Sequence, residues 1–177
     1  VVDTSGSMAG PKIEQARNAL LHCVRNLNDG DRFDIVRFSS DIESWKGGFV
    51  SAKDLKEWAA PFVDKFKAAG GTNIAGALDA ALKYPVDPAR PCVVVFLTDG
   101  KPTLRETVMP QEILRRTAAA RAAGVRIFSF GVGYDVDTQL LDGISEVGRG
   151  VSEYVRPEED IAVKVGAFWN KAGRPVL

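Results

Sequence analysis

A chain of 177 residues, 45% hydrophobic and 26% charged, has the makeup of one globular domain, long enough to bury about 70% of its unfolded surface. Its 23 basic and 23 acidic residues cancel without any long single-sign run, which excludes the footprint of a nucleic-acid or anionic-membrane binder. The longest apolar run, Val93 to Leu97, is far too short for a bilayer span, so no direct membrane insertion is expected of this segment.

The first residues, Val1 and Val2, read as a strand already under way. No initiator Met and no charged, hydrophobic leader stand before them, so residues 1–177 are expected to be a single domain cut from a longer protein, with its first strand truncated. From Pro11 to Leu27, Ile13, Ala16, Leu20, Val24 and Leu27 recur at helical spacing, and Asn28-Asp29-Gly30 supplies the stop. Phe33 to Phe38 predicts a strand, and Ile42–Trp45 and Phe49–Val50 predict short strand pieces around a Lys46-Gly47-Gly48 turn. A helix is expected from Lys53 to about Phe66, bent or interrupted at Pro61. Another follows from Ile74 to Leu82 after the Ala69–Thr72 loop, and three prolines then keep 85–91 non-helical.

Cys92 to Leu97 shows no polar alternation, the pattern of a strand buried on both faces in a parallel sheet. Helices near Gln111–Ala123 and Thr138–Val147 alternate with strands at Val125–Val132 and Val151–Val155, and a last helix runs from Pro157 to about Trp169. Such alternation predicts an α/β fold, three layers with a mainly parallel central sheet flanked by helices. Cys23 and Cys92 have neither metal spacing nor a CxxC arrangement and read as small buried hydrophobes, with a disulfide as the alternative. Trp45, Trp58 and Trp169 read as core or interface fillers, and Asp137 as a helix cap.

Chemistry concentrates where strands end. Asp3 follows the first strand and Asp99 the most apolar one, and ligands of α/β sheets bind beyond such carboxyl ends. If the two strands are neighbours, two carboxylates converge and oppose each other's ionisation. No Lys, Arg or His lies within three residues of Asp3, and Lys101 is the nearby cation in sequence, so a divalent metal is the economical compensation. In extended D-x-S-x-S, Asp3, Ser5 and Ser7 face one way, and Gly6 and Gly10 permit a tight turn. These hard oxygen donors suit Mg²⁺, Ca²⁺ or Mn²⁺. Taken singly, each piece has a plainer reading: D-x-S-x-S as a polar helix cap, Thr72 as a cap-region residue, Asp99-Gly100 as a turn.

Asp3-Thr4-Ser5-Gly6-Ser7, Gly70-Gly71-Thr72 and Thr98-Asp99-Gly100, in that order with helices between, resemble the metal-ion-dependent adhesion site of von Willebrand factor type A domains. The resemblance runs over nearly the whole chain. It is closest to inter-α-trypsin-inhibitor heavy-chain-like proteins, through Val2–Met8, Asp31-Arg32-Phe33 and Arg126–Gly133. It implies a doubly wound, Rossmann-like sheet with a short antiparallel edge strand near Phe49. It implies a divalent cation, Mg²⁺ or else Ca²⁺ or Mn²⁺, held by Asp3, Ser5, Ser7, Thr72 and Asp99. One position is left for an Asp or Glu of a partner protein. It further implies an upstream companion domain and an extracytoplasmic setting: secreted, periplasmic or cell-surface.

Two carboxylates neutralise a divalent cation, so a partner carboxylate adds a charge-assisted bond, and Lys101, Arg105 and Glu106 are candidates to read that partner. A binding module without catalysis is the expectation. The rivals are a Mg²⁺-dependent phosphotransferase or hydrolase with Asp3 as nucleophile, and a type A subunit of an ATPase-linked machine. Phosphotransfer wants a second carboxylate close to Asp3, where this chain has Ser5 and Ser7. Nor is there a GxxxxGK[ST] loop, and His22 is the only histidine.

Overall fold

Asp3 and Asp99 emerge on the same edge because their strands pair in parallel. In the computed structural model, which describes residues 1–103, 109–156 and 158–172, β1 (Val2–Asp3) lies between β3 (Val36–Phe38) and β6 (Cys92–Thr98). Val2 stands opposite Arg37 on one side and Leu97 on the other. β4 (Ile42–Ser44), β7 (Val125–Val132) and β8 (Ser152–Val155) complete a six-stranded sheet in the order β4-β3-β1-β6-β7-β8. The strand order changes direction between β1 and β6, and that reversal opens a crevice above their carboxyl ends.

Only β4 runs antiparallel within this sheet, paired with β3. The antiparallel edge is therefore at Ile42 rather than near Phe49. β5 (Val50–Ser51) pairs instead with β2 (Arg32–Phe33) in a separate two-stranded ribbon. The strand expected over 33–38 splits because the Asp34 carboxylate accepts from Ile35 N at 2.7 Å, Lys46 N at 3.0 Å and Gly48 N at 3.0 Å. That side chain takes backbone donors a continuous ladder would use.

Helices cover both faces. α1 (Pro11–Arg25) and α7 (Ile161–Ala172) bury Ile13, Val24, Ile161 and Val165 against one side of the sheet. There the Phe168 ring lies 4.3 Å from Phe128 and 5.5 Å from Phe130. α4 (Ile74–Leu82), α5 (Pro110–Ala120) and α6 (Thr138–Val147) pack on the other, with Leu78, Ile113 and Ile144 around Phe96 and Ile127. The expected 53–66 helix is three short pieces: α2 (Ala52–Leu55), a 3₁₀ turn (Lys56–Trp58) and α3 (Ala60–Val63), which Pro61 helps to open. β6 is fully buried only toward its carboxyl end, where Leu97 pairs with Val2, and Val93 near its start is 36% exposed. Among the described residues no helix is long and apolar enough to cross a membrane.

Candidate metal centre

Three loops meet above β1 and β6. In the first, the strand stops at Asp3, whose Oδ1 accepts from Ser5 N at 2.7 Å. Residues Gly6–Met8 then curl into a 3₁₀ turn closed by Met8 N donating to Ser5 O at 3.0 Å. D-x-S-x-S is therefore a turn, not an extended segment: the Asp3 carboxylate captures the donor that would have continued the ladder. The turn still gathers the hydroxyls, with Ser5 Oγ 3.0 Å from Ser7 Oγ. Gly10 follows at φ 78°, where a side chain is strained, and Pro11 opens α1.

The second loop is stitched to the first. Gly6 N donates to Gly70 O at 3.0 Å, and Ala69 N donates to Thr4 O at 2.9 Å. Gly70 has φ 82°, and a Cβ there would lie 2.9 Å from Ser40 Oγ, so glycine is required. Thr72 is buried, and its backbone is held on both sides by Thr103. The cap of α4 is not Thr72 but Asn73, which accepts from Gly76 N at 2.9 Å.

The third loop begins at Thr98, whose Oγ1 donates to Asp3 Oδ2 at 2.5 Å and accepts from Gly100 N at 3.2 Å. The Asp99 carboxylate accepts from Ser7 Oγ at 2.8 Å through Oδ1 and from the Lys12 ammonium through Oδ2. A Cβ on Gly100 would lie 3.4 Å from Thr72 Oγ1 and 3.7 Å from Ser7 Oγ. Gly100 thus keeps open a small space between hydroxyls of the first two loops.

The electrostatics leave this cluster in need of positive charge. Burial raises the Asp3 carboxyl from 3.8 to about 6; the Asp99 charge adds to the rise, and the bonds from Thr98 and Ser5 oppose it. In chelator, the fold binds the Asp3 proton more tightly than the unfolded chain does, so the stability contribution falls as pH rises from about 4 to 6. The loss is about 3 kcal/mol. Denaturant melts of the wild type minus those of Asp3→Asn, both in EDTA, should show that slope, and a flat difference would contradict it.

Among the described residues no three His, Cys, Asp or Glu cluster, so a cation here rests on two carboxylates and hydroxyls. That donor set, with the hydroxyl-lined space at Gly100, fits a small hard divalent ion.

Two participants escaped the sequence reading. Lys12, not Lys101, is the cation on Asp99; Lys101 is exposed, and Arg105 and Glu106 lie outside the described residues. The available signal was a lysine in the first turn of a helix, where the macrodipole disfavours it. Thr98 is the other. Thr98→Val keeps the shape but strands a buried carboxylate and the Gly100 amide. It is expected to cost about 2–3 kcal/mol, seen as a melting temperature lower by about 4–12 °C.

Asp137 caps α6, accepting from Leu140 N at 3.0 Å. His22 lies in the last turn of α1 beside Gly166 of α7. Cys23 and Cys92 are both free, and burial pushes the Cys23 thiol up to about 12. Trp45 packs between Phe33 and Phe62, whereas Trp58, at the end of the 3₁₀ turn, is 67% exposed and fills no core. The Trp169 side chain is outside the described residues.

The profile of the von Willebrand factor type A domain matches residues 1–154. The whole chain aligns at 33% identity with inter-alpha-trypsin inhibitor heavy chain H1 of Mesocricetus auratus and at 31% with heavy chain H2 of Sus scrofa. It spans 20% of the length of each. A von Willebrand factor type A structure from Catenulispora acidiphila superposes with a TM-score of 0.84 at 23% identity, over 94% of this chain and 40% of that one. Proximal thread matrix protein 1 from the mussel byssus, solved with a zinc-occupied MIDAS motif, gives 0.71 at 16% identity, over 97% of this chain and 46% of that one. With the matched profile, the parallel sheet and its crevice all in agreement, this chain belongs to the von Willebrand factor type A domain family.

Proposed function

We propose that the domain is a metal-ion-dependent adhesion or protein-binding module. Asp3, Ser5, Ser7, Thr72 and Asp99 would hold a divalent cation, Mg²⁺ before Ca²⁺ or Mn²⁺, and a partner Asp or Glu would complete its shell. The single observation carrying this reading is the meeting of Asp3, Ser5, Ser7 and Asp99 at the switch point of a parallel sheet. A bound cation supplies a Lewis-acidic position for a partner oxygen. The protein's own part is orientation. Thr98 and Ser5 fix the two Asp3 oxygens, Ser7 ties the first loop to Asp99, and exposed Ser7 opens the cluster to solvent.

Binding rather than catalysis follows from the donor types. The places where phosphotransfer would want a second carboxylate hold serines, and the only histidine stands at the far end of α1. The heavy-chain relatives and the byssus protein with its zinc-occupied site support the adhesive, metal-dependent reading. With it go residues 1–177 as one domain of a longer protein, an upstream companion domain and an extracytoplasmic setting.

Calorimetric titration of Mg²⁺, Ca²⁺ and Mn²⁺ into chelated protein tests this. One site is expected in the wild type and none in Asp99→Ala. Equal binding by both, or turnover of a phosphomonoester abolished by Asp3→Asn, would overturn it.

A further inference from the structure

We infer that Lys12 is a built-in counter-cation that sets how tightly the Asp3–Asp99 cluster takes a divalent ion and how strongly the loaded centre prefers an anionic partner group. The inference rests on the metal reading above and adds a residue to it. The Lys12 ammonium donates to Asp99 Oδ2, and to Ser7 O at 3.2 Å. The Asp99 side chain is wholly buried, while Lys12 keeps 29% of its side chain exposed. The ammonium therefore sits at the boundary between the cluster and solvent.

Its place is built by two separate elements. Lys12 stands in the first turn of α1, where a cation opposes the macrodipole and needs a compensating anion. Gly133, just beyond β7 at φ 106°, leaves the groove for its stem: a Cβ there would come 3.3 Å from Lys12 Cε and 3.4 Å from Nζ. The end of β7 and the start of α1 thus cooperate to aim one ammonium at Asp99.

The charge count then decides the behaviour. Two carboxylates alone carry −2 and would be neutral once a divalent ion binds. With Lys12 the metal-free cluster carries −1 and the loaded centre +1. Metal entry is weakened, and a carboxylate is drawn to a centre that is positive rather than neutral. The ammonium does not relieve Asp3, whose oxygens are bonded to Ser5 and Thr98, so Lys12 moderates the metal without substituting for it.

The experiment titrates Mn²⁺ into wild-type chain, Lys12→Met, Lys12→Gln and Lys12→Arg, with melting in EDTA to confirm that each folds. Removing a unit charge about 6 Å from a divalent ion changes its affinity by about tenfold even at water-like screening. Lys12→Met and Lys12→Gln should bind Mn²⁺ about tenfold more tightly than wild type, and Lys12→Arg within about twofold. Acetate added to the Mn²⁺-loaded proteins, followed by water-proton relaxation, should displace metal-bound water at severalfold lower concentration in wild type than in Lys12→Met. Affinity that is unchanged or weaker in both uncharged variants, or equal acetate response, overturns the role of Lys12. A wild type that binds no Mn²⁺ instead sinks the metal reading, and this inference with it.

Discussion

Saturating Mg²⁺ or Mn²⁺ should raise the melting temperature of the chelated domain by about 5–11 °C, and Asp99→Ala should abolish the rise. A ligand at one hundred times its dissociation constant adds about 2.7 kcal/mol when it binds only the folded state. In a domain of this size each kcal/mol moves the midpoint by about 2–4 °C. The unfolded chain cannot compete, because the candidate donors come from three loops that meet only in the fold, through the β1–β6 pairing and the bonds from Gly6 to Gly70 and from Ala69 to Thr4. Asp99→Ala removes one of the two anions and the acceptor of the Ser7 hydroxyl at once. Metal-free Asp99→Ala also leaves the Lys12 ammonium without its carboxylate, so the two proteins are compared as shifts between EDTA and metal, not as absolute midpoints. An equal shift in both would show that any bound ion sits elsewhere.

The parts of this architecture that sequence discloses are those whose signals are local. α4 and α6 run where periodicity places them because each begins on a side chain that accepts a backbone amide, Asn73 and Asp137. β7 begins after Gly124 at φ 87° and is buried at all but one position, so its apolar run marks both ends. The 33–38 strand and the 53–66 helix break for reasons that periodicity does not carry: a carboxylate at Asp34 that gathers amides from a distant turn, and a proline that favours a helix start. The candidate site divides in the same way. Asp3, Ser5, Ser7 and Asp99 stand out as candidates because acids and hydroxyls follow the ends of strands, whereas Thr72 enters the candidate set only through the resemblance to the family's motif. Lys12 does not stand out, since its carboxylate lies 87 positions away and only the fold sets them together.

The glycines show the same division in an experiment with opposite outcomes in one chain. Gly30 and Gly150 each stand a few residues beyond the end of a helix, α1 and α6. A Cβ on Gly30 meets nothing within 4 Å, whereas one on Gly150 would stand 1.9 Å from Ile127 O and 2.7 Å from Ile127 C. Ile127 is paired on β7 with Val94 of β6, and its amide donates to Gly148 O at 3.0 Å, so that backbone has no room to retreat. Side-chain overpacking costs about 1–3 kcal/mol when neighbours can rotate away, and a strand backbone cannot. Gly150→Ala is therefore expected to lose about 4 kcal/mol or more, a midpoint lower by at least about 8–16 °C. Gly30→Ala should be neutral or gain up to about 1 kcal/mol, because alanine narrows the unfolded ensemble. Thermal and denaturant melts of the two variants side by side decide it. A Gly150→Ala protein as stable as Gly30→Ala would mean that the 148–150 turn does not press on Ile127, and the packing at the start of β7 would have to be redrawn.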